Sequence, residues 1–310
     1  MDAGSIRNAM KSPLVEGIRS VGLTVPDLAR AEQFYTEVWK LDVAARTGGA
    51  LYLRGSGADH HLVMLRQAPG APRILQITLR ARSTAALGLI MTATRAAGGT
   101  VEQSLSTTLG AVDGEQIVIR DPDGRRYEIV HGDTRRTPTV PPPADQPQRL
   151  AHVVVNSHDV ATTQTFLERA LGFVLADRTR IMAFMNCDSD HHSIAIGDTD
   201  NDALNHIAFV MPSIDAVMRG GGRMRDAGHA IEWGPGRHGP GNNVFNYFID
   251  PFGIVIEYTA DVEQIDDSYQ PRTPSDWAWP AGRTDQWGIA AAASPRLKEA
   301  QRSVLFAPNI

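Results

Sequence analysis

The sequence predicts an α+β protein built from two similar domains in tandem. Three observations carry that expectation: anchors that recur at a nearly constant interval, a strand and helix order that runs through twice, and a proline-rich stretch between the two runs. Asp27 and Asp159 stand 132 residues apart, the triplets Asp59-His60-His61 and Asp190-His191-His192 131, Gln76 and His206 130, and Asp121 and Asp250 129. Solenoid repeats span roughly 20–50 residues, so this interval reads as whole domains, each with its own core. At 310 residues, 42% hydrophobic and 21% charged, the chain has the length and composition for two.

In the first copy, residues 18–25 read as a strand from their branched side chains, and Asp27 caps a helix to about Leu41. Strand candidates at 50–54, 60–65 and 73–79 follow, then an alanine-rich helix over 83–97 that stops at Gly98-Gly99. The order resembles βαβββ with a second helix. Strands at 116–120 and 126–130 flank Asp121-Pro122-Asp123-Gly124, which suits a type I turn with Gly free to take positive φ. Residues 131–149 carry Pro138, Pro141, Pro142, Pro143 and Pro147 among polar residues and read as a semi-rigid linker.

The second copy restarts with a strand at 150–156. A helix over 159–171, strands near 174–188 and at 192–196, a strand at 204–211, a helix over 213–227 and a hairpin across Asp250-Pro251-Phe252-Gly253 follow. The expected division is an extension 1–17, a first domain 18–131, a linker 132–149, a second domain 150–262 and a tail 263–310. The tail has no long periodic segment and is expected to pack over a domain face. Its tryptophans, Trp277, Trp279 and Trp287, are expected to dock it rather than touch a substrate, with a lid role as the alternative.

A net charge of −5 without a basic run or basic-aromatic interleaving speaks against nucleic acid. No run approaches the roughly 18 apolar residues of a membrane span, and residues 1–12 lack the apolar core of a signal peptide. The expectation is a soluble, cytoplasmic protein. Cys187, the single cysteine, cannot form an internal disulfide and reads as a small buried strand residue.

The last hairpin points to chemistry. If Asp250 pairs with Ile254, Tyr247 lies directly opposite Glu257, and both share one face of the sheet. A carboxylate among Ile and Val is costly to bury unpaired, so Glu257 should reach solvent or bind a cation. His152 and His206 interrupt apolar strands at equivalent places. A lone strand histidine is usually a core residue bonded to backbone, but three such positions together point to a metal. Two imidazoles and a carboxylate form the facial triad of non-heme Fe(II), and Zn(II) or Mn(II) accept the same set. The first copy has Ser20, Gln76 and Glu128 there, a poor ligand set, so the site belongs to the second domain.

The segments Cys187-Asp-Ser-Asp-His-His-Ser-Ile-Ala-Ile196, Leu204-Asn-His-Ile-Ala-Phe209, Gly236-Arg-His-Gly-Pro-Gly241 and Tyr247-Phe-Ile-Asp-Pro-Phe-Gly-Ile-Val-Ile-Glu-Tyr258 resemble the type I extradiol catechol dioxygenases of the vicinal oxygen chelate superfamily. The resemblance is specific over 150–260 and leaves the tail uncovered. It implies paired βαβββ modules forming a curved half-barrel or funnel in each domain, with Fe(II) on His152, His206 and Glu257. Also implied are His192 as acid/base, Tyr247 as a hydrogen-bond donor to a substrate hydroxyl, and His238 as a neighbour in the substrate or oxygen pocket. The implied partners are a catecholic substrate and O2, and the implied assembly is a homo-oligomer. Mn(II) is the alternative ion. Two other readings compete: a glyoxalase-like isomerase or thiol transferase, whose ligands come from two modules where here all three fall in one, and a metal-free module that sequesters a small molecule.

Overall fold

The computed structural model describes residues 13–107 and 113–308. Most of the expected extension, 1–12, lies outside these residues. The first domain runs β1 (Val15–Val25), α1 (Leu28–Gln33), β2 (Asp42–Thr47), β3 (Ala50–Arg54), β4 (Val63–Gln67), β5 (Arg73–Ala81), α2 (Thr84–Ala96), β6 (Thr100–Thr107), β7 (Glu115–Arg120) and β8 (Arg126–His131). Its sheet has the order β2-β3-β4-β1-β5-β8-β7-β6. That order is two βαβββ modules back to back. Each module's first strand runs parallel to its last, and β1 joins β5 antiparallel.

The second domain repeats the plan with β9 (Arg149–Ser157), α3 (Val160–Leu171), β10 (Val174–Arg178), β11 (Met182–Asn186), β12 (Ile194–Asp198), β13 (Ala203–Val210), α4 (Ile214–Asp226), β14 (Trp233–Arg237), β15 (Val244–Ile249) and β16 (Val255–Ala260). Its order is β10-β11-β12-β9-β13-β16-β15-β14. The sheets stay open at both ends.

Local signals behave as their chemistry requires. Asp27, Ser83, Asp159 and Ser213 each accept a backbone N–H from the first turn of α1, α2, α3 and α4. Gly124 and Gly253 take φ of +85° and +93°, and Asp121 and Asp250 each accept two backbone N–H groups across their turn. The register places Tyr247 opposite Glu257 as the turn predicts.

Other expectations need correction. The helix after Asp27 is α-helical only to Gln33, and Phe34–Val38 continues as a π-helical turn. Strands β2, β6 and β14 are additional to those expected. All three lie at sheet edges, where half-exposed polar residues or a Gly-Pro-Gly run hide the alternation. The strands expected at 60–65 and 192–196 begin later, at Val63 and Ile194, so both His-His pairs sit in the bend before a strand rather than on its two faces.

The domains grip each other reciprocally. From the β7–β8 turn, Arg125 is fully buried and bonds Asp121, Asp123, Thr163, the Asn156 carbonyl and Asp202. From the β15–β16 turn, Asp250 accepts the Tyr35 hydroxyl at 3.0 Å. Trp39 stacks on Tyr258 at 3.7 Å beside Phe209 and Phe248, and one apolar core runs through both domains. The tail packs back as expected. Residues 263–272 lie beside Asp190 and Asp177, α5 (Pro295–Ala300) sits against β15, and β17 (Val304–Leu305) pairs with β13. Cys187 is buried and free, and burial pushes its thiol up.

Candidate metal centre

His152 comes from β9, His206 from β13 and Glu257 from β16. In register, His152 and Glu257 both lie level with Ala208, and His206 stands two residues further along the same face of β13. Their ligand atoms converge: Glu257 Oε2 is 3.2 Å from His152 Nε2 and 3.3 Å from His206 Nε2, and the two imidazole nitrogens are 3.4 Å apart. Ligands ~2.1 Å from one ion at right angles stand about 3 Å apart, so the set fits a divalent cation with little adjustment. All three side chains are buried.

The surroundings favour lone pairs on the converging atoms. His206 Nδ1 lies 2.8 Å from Asn205 Oδ1, which fixes the ring with its proton on Nδ1 and leaves Nε2 free to ligate. Burial lowers the His206 pKa to about 4, against the pull of Glu257, so the ring is neutral. Burial raises the Glu257 carboxyl, but the imidazoles of His152, His206 and His238 gathered around it outweigh burial and hold the group well below the usual carboxylate range. Asn243 donates to Oε1 at 3.3 Å. His152 Nδ1 is buried without a hydrogen-bond partner among the described residues.

Three further groups surround the triad. His192 lies against His152 with ring centroids 4.4 Å apart, and burial holds its pKa well below the ordinary value. Gly241, at φ +78°, makes room for it, since a Cβ there would come within 3.0 Å of His192 Cε1. The Tyr247 hydroxyl bridges His206 Nε2 at 3.3 Å and His238 Nε2 at 3.0 Å. Burial first, and the charge of Glu257 second, push this phenol well up, so it remains a donor.

His152, His206, His192, His238 and Tyr247 line a cavity of about 670 Å³ whose walls include Val154, Ile181, Phe184 and Trp233. Trp277 and Trp279 line it too, the placement that the alternative of a lid role calls for. Gly239 allows this, because a Cβ there would meet both indole rings at 2.9 Å. Trp287 lies elsewhere, under the guanidinium of Arg237.

The first copy differs at this place as its residues demand. Ser20 lies level with Thr78, and Thr78 with Glu128, the register of His152, Ala208 and Glu257. Glu128 accepts from Gln76 Nε2 at 2.8 Å and Thr78 Oγ1 at 2.9 Å, so its charge is met by fixed donors. Among the described residues Asp123, His158 and Asp202 also cluster, but Arg125 bonds both carboxylates. One sequence argument fails: at the level of βαβββ units the triad combines both modules of its domain, one ligand from the first and two from the second.

Residues 17–129 and 149–258 match the family model described as Glyoxalase/Bleomycin resistance protein/Dioxygenase superfamily. The chain belongs to this superfamily. Its fold is that of two tandem vicinal-oxygen-chelate domains, as the resemblance implied. It is similar to metapyrocatechase 2 of Cupriavidus necator, 34% identical over 164 residues that make up 52% of this chain and 46% of the relative. The chain thus spans about half the length of that curated relative. Among solved structures it is similar to a Mn(II)-bound glyoxalase from Novosphingobium aromaticivorans, with a TM-score of 0.84, 32% identity and 96% of each chain covered. An extradiol ring-cleaving dioxygenase from B. fuscum shares the fold at a TM-score of 0.80 and 23% identity, over 91% of this chain and 81% of that one.

Proposed function

We propose that this protein is an extradiol dioxygenase that opens a catecholic ring beside its hydroxyls and incorporates both atoms of O2, using Fe(II) on His152, His206 and Glu257. The observation that carries the reading is the convergence of three ligand atoms within 3.4 Å at the wall of a cavity that three proton-handling side chains also line. Fe(II) bound there would supply positions for two vicinal oxygens and for dioxygen, with three protein ligands leaving the remaining sites open.

The chain's own groups suit the remaining tasks. A catechol must lose a proton to bind through both oxygens, and His192, kept neutral by burial, is the base. Tyr247, held as a phenol, donates to a substrate oxygen, and His238 Nε2 fixes the direction of that hydroxyl. Val154, Phe184, Trp277 and Trp279 clasp an aromatic ring and exclude water. Likeness to a metapyrocatechase and to a 3-methylcatechol 2,3-dioxygenase supports the same reading.

Oxygen uptake and the ring-opened chromophore, followed over a panel of catechols, test it on Fe(II)- and Mn(II)-loaded protein beside His206→Ala. Activity confined to the wild type supports the reading, and no uptake despite stoichiometric metal overturns it. The whole-length likeness to a Mn(II)-bound glyoxalase favours a second reading, metal-dependent isomerisation. That reaction consumes no O2, so the same assay separates the two.

A further inference from the structure

We propose that Asp177 and His191 are positioning residues that set the ring proton of His192, so that its Nε2 lone pair is the one left for the cavity. This inference rests on the reading of His192 as the base. The hydrogen-bond order runs inward from the tail. Asp177 is fully buried in β10, where Oδ1 accepts the Arg272 backbone N–H at 2.8 Å and the Tyr269 hydroxyl lies 3.1 Å from both oxygens. Arg272 Nε stands 3.4 Å from Oδ2. Among such donors Asp177 is a carboxylate that only accepts.

His191 Nε2 lies 2.9 Å from Asp177 Oδ2, so Nε2 carries the proton. Nδ1 of a neutral ring is then an acceptor. It faces His192 Nδ1 at 3.1 Å, which therefore carries the proton of the second ring. His192 Nε2 is left bare. One buried carboxylate thus selects the proton position of a ring one hydrogen bond beyond its own partner.

The first domain supplies an independent comparison. His60 Nδ1 and His61 Nδ1 make the same contact at 3.0 Å. Ala45 occupies the register position of Asp177, level with Tyr52 as Asp177 is level with Phe184. There the order is imposed from the other end: Arg19 Nη1 lies 3.0 Å from His61 Nε2 and can only donate. In the second copy Ala151 takes the place of Arg19 and His192 borders the cavity instead. The carboxylate is present in the copy that lacks the guanidinium.

The test is long-range proton–nitrogen correlation on histidine-labelled protein, metal-free and Zn(II)-loaded, with signals assigned through His191→Gln and His192→Gln. The expected wild-type pattern is a protonated Nδ1 and bare Nε2 on His192, with the opposite pattern on His191. Asp177→Asn keeps a carbonyl for the Arg272 N–H and turns an amide N–H toward His191, so both rings reverse. Metal content stays the same and turnover falls roughly 10²-fold, at the low end of general-base contributions. A proton on wild-type His192 Nε2, or an unchanged His192 pattern in Asp177→Asn, overturns the proposal. The wild-type spectrum decides even if the variant fails to fold. The expected spectrum without oxygen uptake on any catechol would sink the dioxygenase reading and leave the ring order standing.

Discussion

At the scale of single residues, the convergence of His152, His206 and Glu257 was legible because each places a polar side chain in a run of apolar strand residues, where burial without a partner is costly. Glu257→Gln removes the one anionic member of the proposed ligand set. Divalent-metal affinity, measured by competition with a chromogenic chelator, should fall by more than about 100-fold, since even losing an outer partner costs 10–100-fold. Asn205, Asn243 and Asp177 were not legible. Their roles depend on which strands and loops the fold brings together, and no local signal carries that. Gly241 is different again: its need is conformational. Gly241→Ala should cost about 1–2 kcal/mol in urea unfolding for the left-handed backbone. It should also depress turnover by displacing His192, which its Cβ would press at 3.0 Å.

At the scale of elements, caps, turns and buried strands were readable because their signals are local. Edge strands were not, since half-exposure blurs alternation, and the His-His pairs shifted off their strands because hydrogen bonding, not hydropathy, sets where a ladder begins. The Asp250 turn makes its own prediction. Burial raises its pKa from the usual carboxylate value to about 6 despite bonds from Ile254, Phe252 and Tyr35. The folded state therefore binds this proton more tightly than the unfolded chain. The stabilising contribution is complete below about pH 4 and is lost as pH rises through about 6, on the order of 3 kcal/mol for the shift. Compared with Asp250→Asn, the wild type should lose stability in chemical unfolding between pH 4 and 7. A constant difference across that range would refute the claim.

At the scale of the whole molecule, the duplication was legible from spacing alone, whereas the clasp between domains was not, because its partners are far apart in sequence. Arg125 lies at its centre. Arg125→Met leaves the buried carboxylate of Asp121 and the partly buried one of Asp123 without their cation and should cost roughly 3–5 kcal/mol by thermal or urea unfolding. Metal analysis should find one ion per chain and none in His206→Ala, because Gln76 and Ser20 are poor ligands in the first copy.

The two copies of the Glu position also answer to different masters. Glu128 is satisfied by an amide and a hydroxyl of its own domain, whereas Glu257 sits with two histidines that suit a borrowed ion. A ligand that binds only the folded state raises stability with its free concentration. A divalent ion held at the proposed site would therefore tie the second domain's resistance to unfolding and proteolysis to the metal supply, and the core that the two domains share would pass that dependence on to the first.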